Sequence, residues 1–299
     1  MITVFGSVML DLIGRVSRFP VPGETVMGST FQTSPGGKGA NQALAARRAG
    51  ARVRMVAAAG RDSMGDEALA LLKAGGVDLK DVRRIDAAQG VAMIFVDPNG
   101  ENEIGILPGA NSRIGPDDAE TALTGLGETD VLIVQQEVPQ EATMRALALA
   151  QLQGVTSILN TAPYLETTPA VAGTASIVVA NETEFALMSR SDADNRSAAM
   201  RDWARARRQT IIVTLGADGA EAVTREGRSI TVPALKVEPI DTVGAGDTFV
   251  GYLAAGLDAG LSLELAMRRA AVAASLACTR PGAQPAIPQP DEVDAALSR

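Results

Sequence analysis

Two acidic residues, Asp241 and Asp247, bracket the stretch DTVGAGDTF, a glycine-broken turn that runs straight into an apolar segment of helical composition. A helix opening on such a turn leaves backbone N–H groups unpaired and pointing outward, and its dipole adds positive potential, so the turn is a natural anion site. Gly244, Ala245 and Gly246 would supply the donors, with Asp247 beside them. A helix N-terminus stabilises the ionised carboxylate, which makes Asp247 a modest base. That suits phosphoryl transfer. In a loose transition state the attacking hydroxyl keeps its proton until late, while the N–H groups take up charge on the transferred group. A carboxylate that merely caps its helix is the plainer alternative, and the turn alone leaves both open. The familiar phosphate loops do not fit: no Gly-Lys-Ser/Thr occurs, and GAGDTF lacks the third glycine of a dinucleotide fingerprint.

A second cluster lies in SPGGKGANQA, where Gly36, Gly37 and Gly39 let backbone approach a small ligand and Lys38 and Asn41 add donors for hydroxyl groups. A polyol would suit that surface; a plain glycine turn is the bland reading. Upstream, Asp11 sits just beyond the first strand, the place for a carboxylate that accepts from sugar hydroxyls. NETE puts Asn181 and Glu184 at a strand's carboxyl end, where amide and carboxylate can approach phosphates and hold Mg²⁺ through water, or cap a helix. Glu137 in QQEVP ends another strand in the same way. TLGADG, from Thr214 through Gly216 to Gly219, is either a nucleotide contact or a hairpin turn, and GRDSMG reads as a capped helix start.

Composition narrows the chemistry. The chain has 299 residues and no histidine, which removes Ser-His-Asp triads, Cys-His pairs and His-ligated zinc, so a base here is expected to be a carboxylate. The single cysteine, Cys278, excludes an intrachain disulfide, and its Ala-rich surroundings point to a buried structural role. With 27 Lys+Arg against 35 Asp+Glu, a net charge of −8 and no basic run, nucleic acid is not an expected partner. No apolar run approaches the roughly 18 residues of a membrane span and the N-terminus carries no basic leader, so a soluble cytoplasmic protein is expected.

The elements that must position these groups alternate. β-rich runs such as ITVFGSV, RVRMVAAAG, DVLIVQ, ASIVVAN and TIIVTLG are interleaved with helical ones, which predicts an α/β fold with a central, mostly parallel sheet covered by helices on both faces. Ligands of such sheets sit at the carboxyl ends of the strands. Two segments break the alternation: Leu12 to Ser34, extended around FPVPGET, and Val91 to Leu107, a hairpin with DPNG at its tip. These segments, about residues 12–35 and 91–108, predict a small inserted β-sheet lid on a single domain spanning 1–299. An exposed sheet of this kind needs a ligand, a partner or a second copy to cover it, so the lid is also read as a homodimer interface.

With the ordered motifs GSVMLDLIGRVSRFPVPGET, GGKGANQA, GRDSMG, ILPGAN, NETE, TLGADG, DTVGAGDTF and TRPGAQPAIP, the sequence resembles the ribokinase branch of the phosphofructokinase-B-type carbohydrate kinases over essentially its whole length. The resemblance implies a ribokinase-like α/β fold with a β lid, a homodimer through that lid, and transfer of the ATP γ-phosphate, with Mg²⁺, to the 5-hydroxyl of a pentose. It makes Asp247 the base and Gly244, Ala245 and Gly246 the anion hole. It makes Asp11, Gly37, Lys38, Asn41 and Glu137 sugar contacts, and Asn181, Glu184, Thr214, Gly216, Gly219 and Gly246 nucleotide contacts, with Glu184 on Mg²⁺ through water. It assigns Asp241, with the backbone of Val243, Ala277, Arg280 and Gly282, to a monovalent-cation site for K⁺, which would hold the turn's N–H groups on the phosphoryl group. Where the family often has serine at this site the chain has Ala286, which removes one ligand oxygen. Ribokinases typically carry Asn where this chain has Met9, whereas 2-deoxyribose kinases look similar to GSVMLDL; D-ribose is the expected substrate and 2-deoxy-D-ribose its competitor. Nucleoside or hexose phosphorylation is disfavoured by GGKGANQA, and a non-catalytic sugar sensor by the intact Asp247.

Overall fold

The computed structural model describes residues 1–298. In chain order its strands are β1 (Ile2–Phe5), β2 (Met9–Val16), β3 (Gly28–Gly36), β4 (Val53–Gly60), β5 (Asp78–Ile85), β6 (Val91–Val96), β7 (Asn102–Leu107), β8 (Val131–Val134), β9 (Thr156–Asn160), β10 (Ile177–Asn181), β11 (Thr210–Thr214), β12 (Ala220–Val223) and β13 (Ser229–Val232). β1, β4 and β8 are buried at every residue, as expected of largely apolar strands covered on both faces; their two polar members, Thr3 and Arg54, hydrogen-bond to each other. Nine strands form one sheet in the order β13-β12-β11-β10-β9-β8-β1-β4-β5. All its pairs from β11 to β5 are parallel, and only the two pairs made by β12, with β11 and β13, are antiparallel. The α/β reading is correct. Two buried apolar clusters cover the two faces, one holding Tyr252 and Leu44 under the helices Lys38–Arg48 and Ala245–Asp258, the other holding Phe185 and Trp203.

Strand order reverses at β1. From there the chain builds outward through β4 and β5, then returns to the other side with β8, β9, β10 and β11. A crevice opens at such a reversal, outside the carboxyl ends of the strands. Here it lies between the residues that follow β1 and those that follow β8.

The remaining four strands make a second sheet, β3-β2-β6-β7, with β2 and β6 parallel and the outer pairs antiparallel. It is built from the two segments that broke the alternation, with the DPNG turn at the β6–β7 tip, but it begins earlier than the sequence reading drew it. The N-terminal run MITVFGSVML is not one strand: Gly6–Val8 break it, and β2 starts at Met9. Asp11 is therefore not merely beyond the first strand but inside the second sheet, paired with Ser34. The register sets Phe31 opposite Phe95 across Gly14 on one face and aligns Ile13, Ile94 and Ile104 on the other, so apolar side chains occupy both faces. Phe31 is 69% exposed and Ile104 55%. Among the described residues no helix is long and apolar enough to cross a membrane.

Candidate active site

The first wall of the crevice is the join between β3 and the helix Lys38–Arg48. Gly37 has φ 89°, and a Cβ there would stand 2.7 Å from the Met9 backbone nitrogen. A Cβ at Gly39 would come within 2.6 Å of the Ser7 nitrogen, and one at Gly36 within 2.7 Å of both carboxylate oxygens of Asp11. Only glycine lets the segment Ser7–Asp11 lie on the helix start this closely. The contact is sealed by Ala40 N–H donating to the Ser7 carbonyl at 2.9 Å and by Asn111, whose side-chain amide pairs with both the N–H and the carbonyl of Val8 at 2.9 Å. Glu137 ties in the β8 end: its Oε2 accepts from Ser7 Oγ at 2.6 Å and from Lys38 N–H at 2.9 Å. Its Oε1 has no partner among the described residues.

The second wall is the start of the helix Ala245–Asp258. Gly244 is its N-cap at φ 76°, and a Cβ there would stand 2.9 Å from Ala283. The N–H groups of Gly244, Gly246 and Asp247 have no partner among the described residues; Ala245 N–H instead reaches the Thr242 carbonyl at 3.3 Å, so it contributes least to an anion hole. Asp247 does not cap its own helix. Its Oδ2 accepts from Asn41 Nδ2 at 2.9 Å and its Oδ1 from Gln42 Nε2 at 2.8 Å, both on the facing helix, and the residue is 6% exposed.

Charge is concentrated between the two walls. Burial, with the nearby charges of Glu137 and Asp247 adding, pushes the Asp11 carboxyl up to about 6, Lys38 opposing. Burial likewise raises Glu137, against Lys38, the Ser7 hydroxyl and the Lys38 amide. For Lys38, burial acts downward, yet the fields of Asp247, Glu137, Glu184 and Asp11 outweigh it and its pKa is raised. Lys38 is thus a fixed cation at the centre of an acidic site.

Further along the strand ends, Asn181 and Glu184 form a reciprocal cap on the helix Glu182–Ser189: Asn181 Oδ1 accepts from Glu184 N–H at 2.8 Å, and Glu184 Oε2 accepts from Asn181 N–H at 3.1 Å and from Thr161 Oγ1 at 2.9 Å. The capping reading is therefore correct for both, yet they also line a cavity of about 160 Å³ with Lys38, Asn160, Gly244 and Asp247. A larger cavity of about 660 Å³ adjoins it, walled by Thr214, Gly216, Gly219, Phe249, Ala271 and Cys278, and Gly246 and Thr214 belong to both. Cys278 is thus half-buried on a cavity wall rather than in the core. TLGADG is both things at once, a turn into the antiparallel β12 and part of the cavity wall. GRDSMG lies outside the site, Asp62 capping the helix Ser63–Ala68.

Asp241 braces the turn. Its Oδ1 accepts from Val243 N–H at 3.0 Å and its Oδ2 from Gly282 N–H at 2.7 Å, which clips the TRPGAQP loop to DTVGAGDTF. The carbonyls of Val243, Arg280 and Gly282 accept no hydrogen bond among the described residues, whereas that of Ala277 accepts from Arg280 N–H at 3.3 Å. One carboxylate with several uncommitted carbonyls is a hard-oxygen donor set that fits a monovalent cation; Ala286 is buried and adds no side-chain oxygen.

Comparison with known proteins places the whole chain in a family. The model of the pfkB family carbohydrate kinases matches residues 1–290. The chain belongs to the pfkB family. It is 34% identical over 302 residues to the deoxyribokinase of Salmonella typhi, covering 99% of this chain and 98% of that protein. It is 35% identical over 297 residues to the ribokinase of Bacillus subtilis, covering 99% of each. The structure of Arabidopsis thaliana ribokinase complexed with ribose and ATP superposes with a TM-score of 0.89 at 27% identity, over 100% of this chain and 98% of that one. The likeness to the ribokinase branch holds, and as a pfkB-family carbohydrate kinase the chain is a phosphotransferase with an alcohol group as acceptor.

Several residues that shape the pfkB-family site escaped the sequence reading. Ser7, Asn111, Gln42, Gln135 and Asn160 carry its internal hydrogen bonds. Their one sequence signal is polarity where burial is expected: Gln42 and Gln135 are 0% and 1% exposed, the first inside a helix otherwise buried through Ala40, Ala43 and Leu44.

Proposed function

We propose that this chain phosphorylates the 5-hydroxyl of a pentose with ATP, with D-ribose as its substrate. The observation that carries the reading is Asp247, held by Asn41 and Gln42 next to the free N–H groups of Gly244 and Gly246. Asp11, Lys38, Asn41 and Glu137 bind the sugar: Asp11 and the free Oε1 of Glu137 accept from its hydroxyls, and Lys38 and Asn41 donate. Asp247 receives the proton of the attacking hydroxyl. Gly244, Gly246 and Asp247 N–H groups stabilise charge on the phosphoryl oxygens. Thr214, Gly216 and Gly219 hold the nucleotide in the larger cavity, with Asn181 and Glu184 toward its phosphates. Mg²⁺, held by Glu184 through water and by the phosphates, would neutralise their charge; a cavity whose carboxylates are the half-buried Glu184 and the buried, amide-held Asp247 fits that ion's preference for few protein ligands and retained water. The protein works in the cytoplasm, where ATP is supplied.

A specific observation favours 2-deoxy-D-ribose as a second reading. Met9 and Asp11 lie two residues apart on β2 and share one face of it, and a thioether cannot donate to a hydroxyl. Coupled ADP release across pentoses tests both. Met9→Asn is expected to raise kcat/KM for D-ribose over 2-deoxy-D-ribose by about tenfold. An unchanged ratio would remove Met9 from recognition, and no ADP release with any pentose would end the kinase reading.

The second sheet serves as a lid that excludes water from the transfer. Apolar side chains on both of its faces fit a sheet covered on one side by the site and on the other by a second copy. Sedimentation is expected to give a dimer, and Phe31→Glu with Phe95→Glu a monomer; a wild-type monomer at micromolar concentration counts against it. The cation reading for Asp241 predicts turnover several-fold faster in potassium than in sodium or tetramethylammonium buffer. Equal rates in all three would dispose of it.

A further inference from the structure

Behind Asp247 lies a chain of buried amides whose direction follows from chemistry. A carboxylate only accepts, so Gln42 must turn Nε2 toward Asp247 Oδ1, which it does at 2.8 Å. The Gln42 Oε1 then faces away and needs a donor of its own. Gln135 supplies it, Nε2 to Oε1 at 2.7 Å. The same Gln42 Nε2 also lies 3.0 Å from Asn160 Oδ1, and Asn160 in turn donates to the Val179 carbonyl at 3.3 Å. The last member is kept at a structural cost: Gln135 Oε1 is buried with no partner among the described residues. A Cβ at Gly6 would sit 1.9 Å from that same oxygen, so the strand end after β1 carries glycine to admit the side chain.

We propose that Gln42, oriented by Gln135, is a positioning residue that holds Asp247 Oδ1 and leaves Oδ2 as the oxygen that receives the sugar's proton. The proposal rests on the kinase reading above. In the step, the sugar hydroxyl oxygen bonds to the γ-phosphorus while the bond from phosphorus to the β–γ bridging oxygen breaks. That electron pair leaves with ADP, and the hydroxyl proton moves to Asp247 Oδ2. Oδ2 is the oxygen shared with Asn41, on the sugar side, whereas Oδ1 is turned to a glutamine that is 0% exposed. A donated N–H on Oδ1 stabilises the ionised carboxylate and fixes its rotation, which the transfer needs. Other charges face Asp247: Lys38 from its own facing helix, Asp11 from β2 and Glu137 from the end of β8. All three stay in place in the variants below, so a change in titration is assignable to the amide.

The test compares wild type with Gln42→Met, which keeps volume but removes the donor, and with Gln135→Met, which leaves Asp247 untouched and removes only the donor to Gln42. For Gln42→Met, kcat is expected to fall about 10- to 100-fold with the sugar KM changed less than about threefold. The acidic limb of kcat against pH is expected to rise by about one to two pH units, as follows from losing a hydrogen bond to a charged group. Gln135→Met should move the same limb in the same direction by less. Titration of the Asp247 carboxyl carbon by ¹³C NMR, assigned by its loss in Asp247→Asn, reads the same shift without turnover. If the limb and the carboxyl titration stay put while KM or Tm changes, Gln42 is only packing and the proposal fails. Should Gln42→Met not fold, Gln135→Met decides on the same two readouts. A wild type without pentose kinase activity overturns the kinase reading instead, and the NMR shift still judges the contact between Gln42 and Asp247.

Discussion

Asp247→Asn is expected to lower kcat by about 10²–10⁴-fold, the range lost with a positioned general base, while the sugar still binds. The substitution keeps the shape of the side chain and removes its ability to take a proton. It also turns one amide N–H group toward the donors Asn41 Nδ2 and Gln42 Nε2, which now face a group that cannot accept on both sides. Some loss of stability therefore accompanies the loss of rate, of about 1–3 kcal/mol for a buried donor without a partner. Asp247→Ala instead takes the acceptor away from both donors and opens a small void, with no amide turned against them, so a rate loss common to the two variants reads the chemistry and their difference in melting reads the packing. ADP release under saturating sugar and ATP measures the rate, a thermal melt the stability, and calorimetry the sugar affinity. Near-normal kcat in both variants would take Asp247 out of the mechanism. Loss of sugar binding in both would make it a substrate contact rather than the base.

What was legible in the sequence follows from where local chemistry decides the outcome. Glycine motifs and the acids beside them announce themselves, because a left-handed turn or a close backbone approach admits little else; Gly37 and Gly244, at φ 89° and 76°, are the clearest cases. The parallel sheet was readable from largely apolar runs such as β1 and β8. The polar interior was not. Gln42, Gln135 and Asn160 act through partners 93 to 205 residues away in the chain, and the one local signal, a polar residue among apolar neighbours, does not say which partner it meets. A shorter non-local pairing hid the start of β2, since Met9 is a strand residue through its pairing with Gly36. Asn181 and Glu184 show the opposite limit. Their sequence pattern specifies a cap, the cap is present, and only the tertiary crevice adds a second use.

Two glycine substitutions are expected to part stability from activity at the site's two walls. Gly39→Ala places a methyl carbon 2.6 Å from Ser7 N and 2.8 Å from the Gly6 carbonyl carbon and the Ser7 carbonyl oxygen, all of them backbone atoms that no rotamer change can clear. The loop after β1 must lift off the helix Lys38–Arg48. Such overpacking costs about 1–3 kcal/mol, and at ~2–4 °C per kcal/mol it lowers Tm by several degrees. Because Ser7 holds Glu137, and β2 with Asp11 begins just beyond, the displaced loop carries the proposed sugar contacts with it, and a shift of ~1 Å is enough to lower kcat/KM about 10²-fold. Gly246→Ala behaves differently. A Cβ there meets nothing within 4 Å, and alanine is favoured over glycine in a helix by roughly 0.5–1 kcal/mol, so Tm should hold or rise. Yet the methyl group projects from the wall common to both cavities, where the proposed function passes the transferred phosphoryl group, and kcat/KM is expected to fall at least about tenfold. Unchanged activity in Gly246→Ala would mean that the phosphoryl group does not cross this turn. A Gly39→Ala protein that melts early but turns over normally would mean that the close packing after β1 serves the fold and not the site.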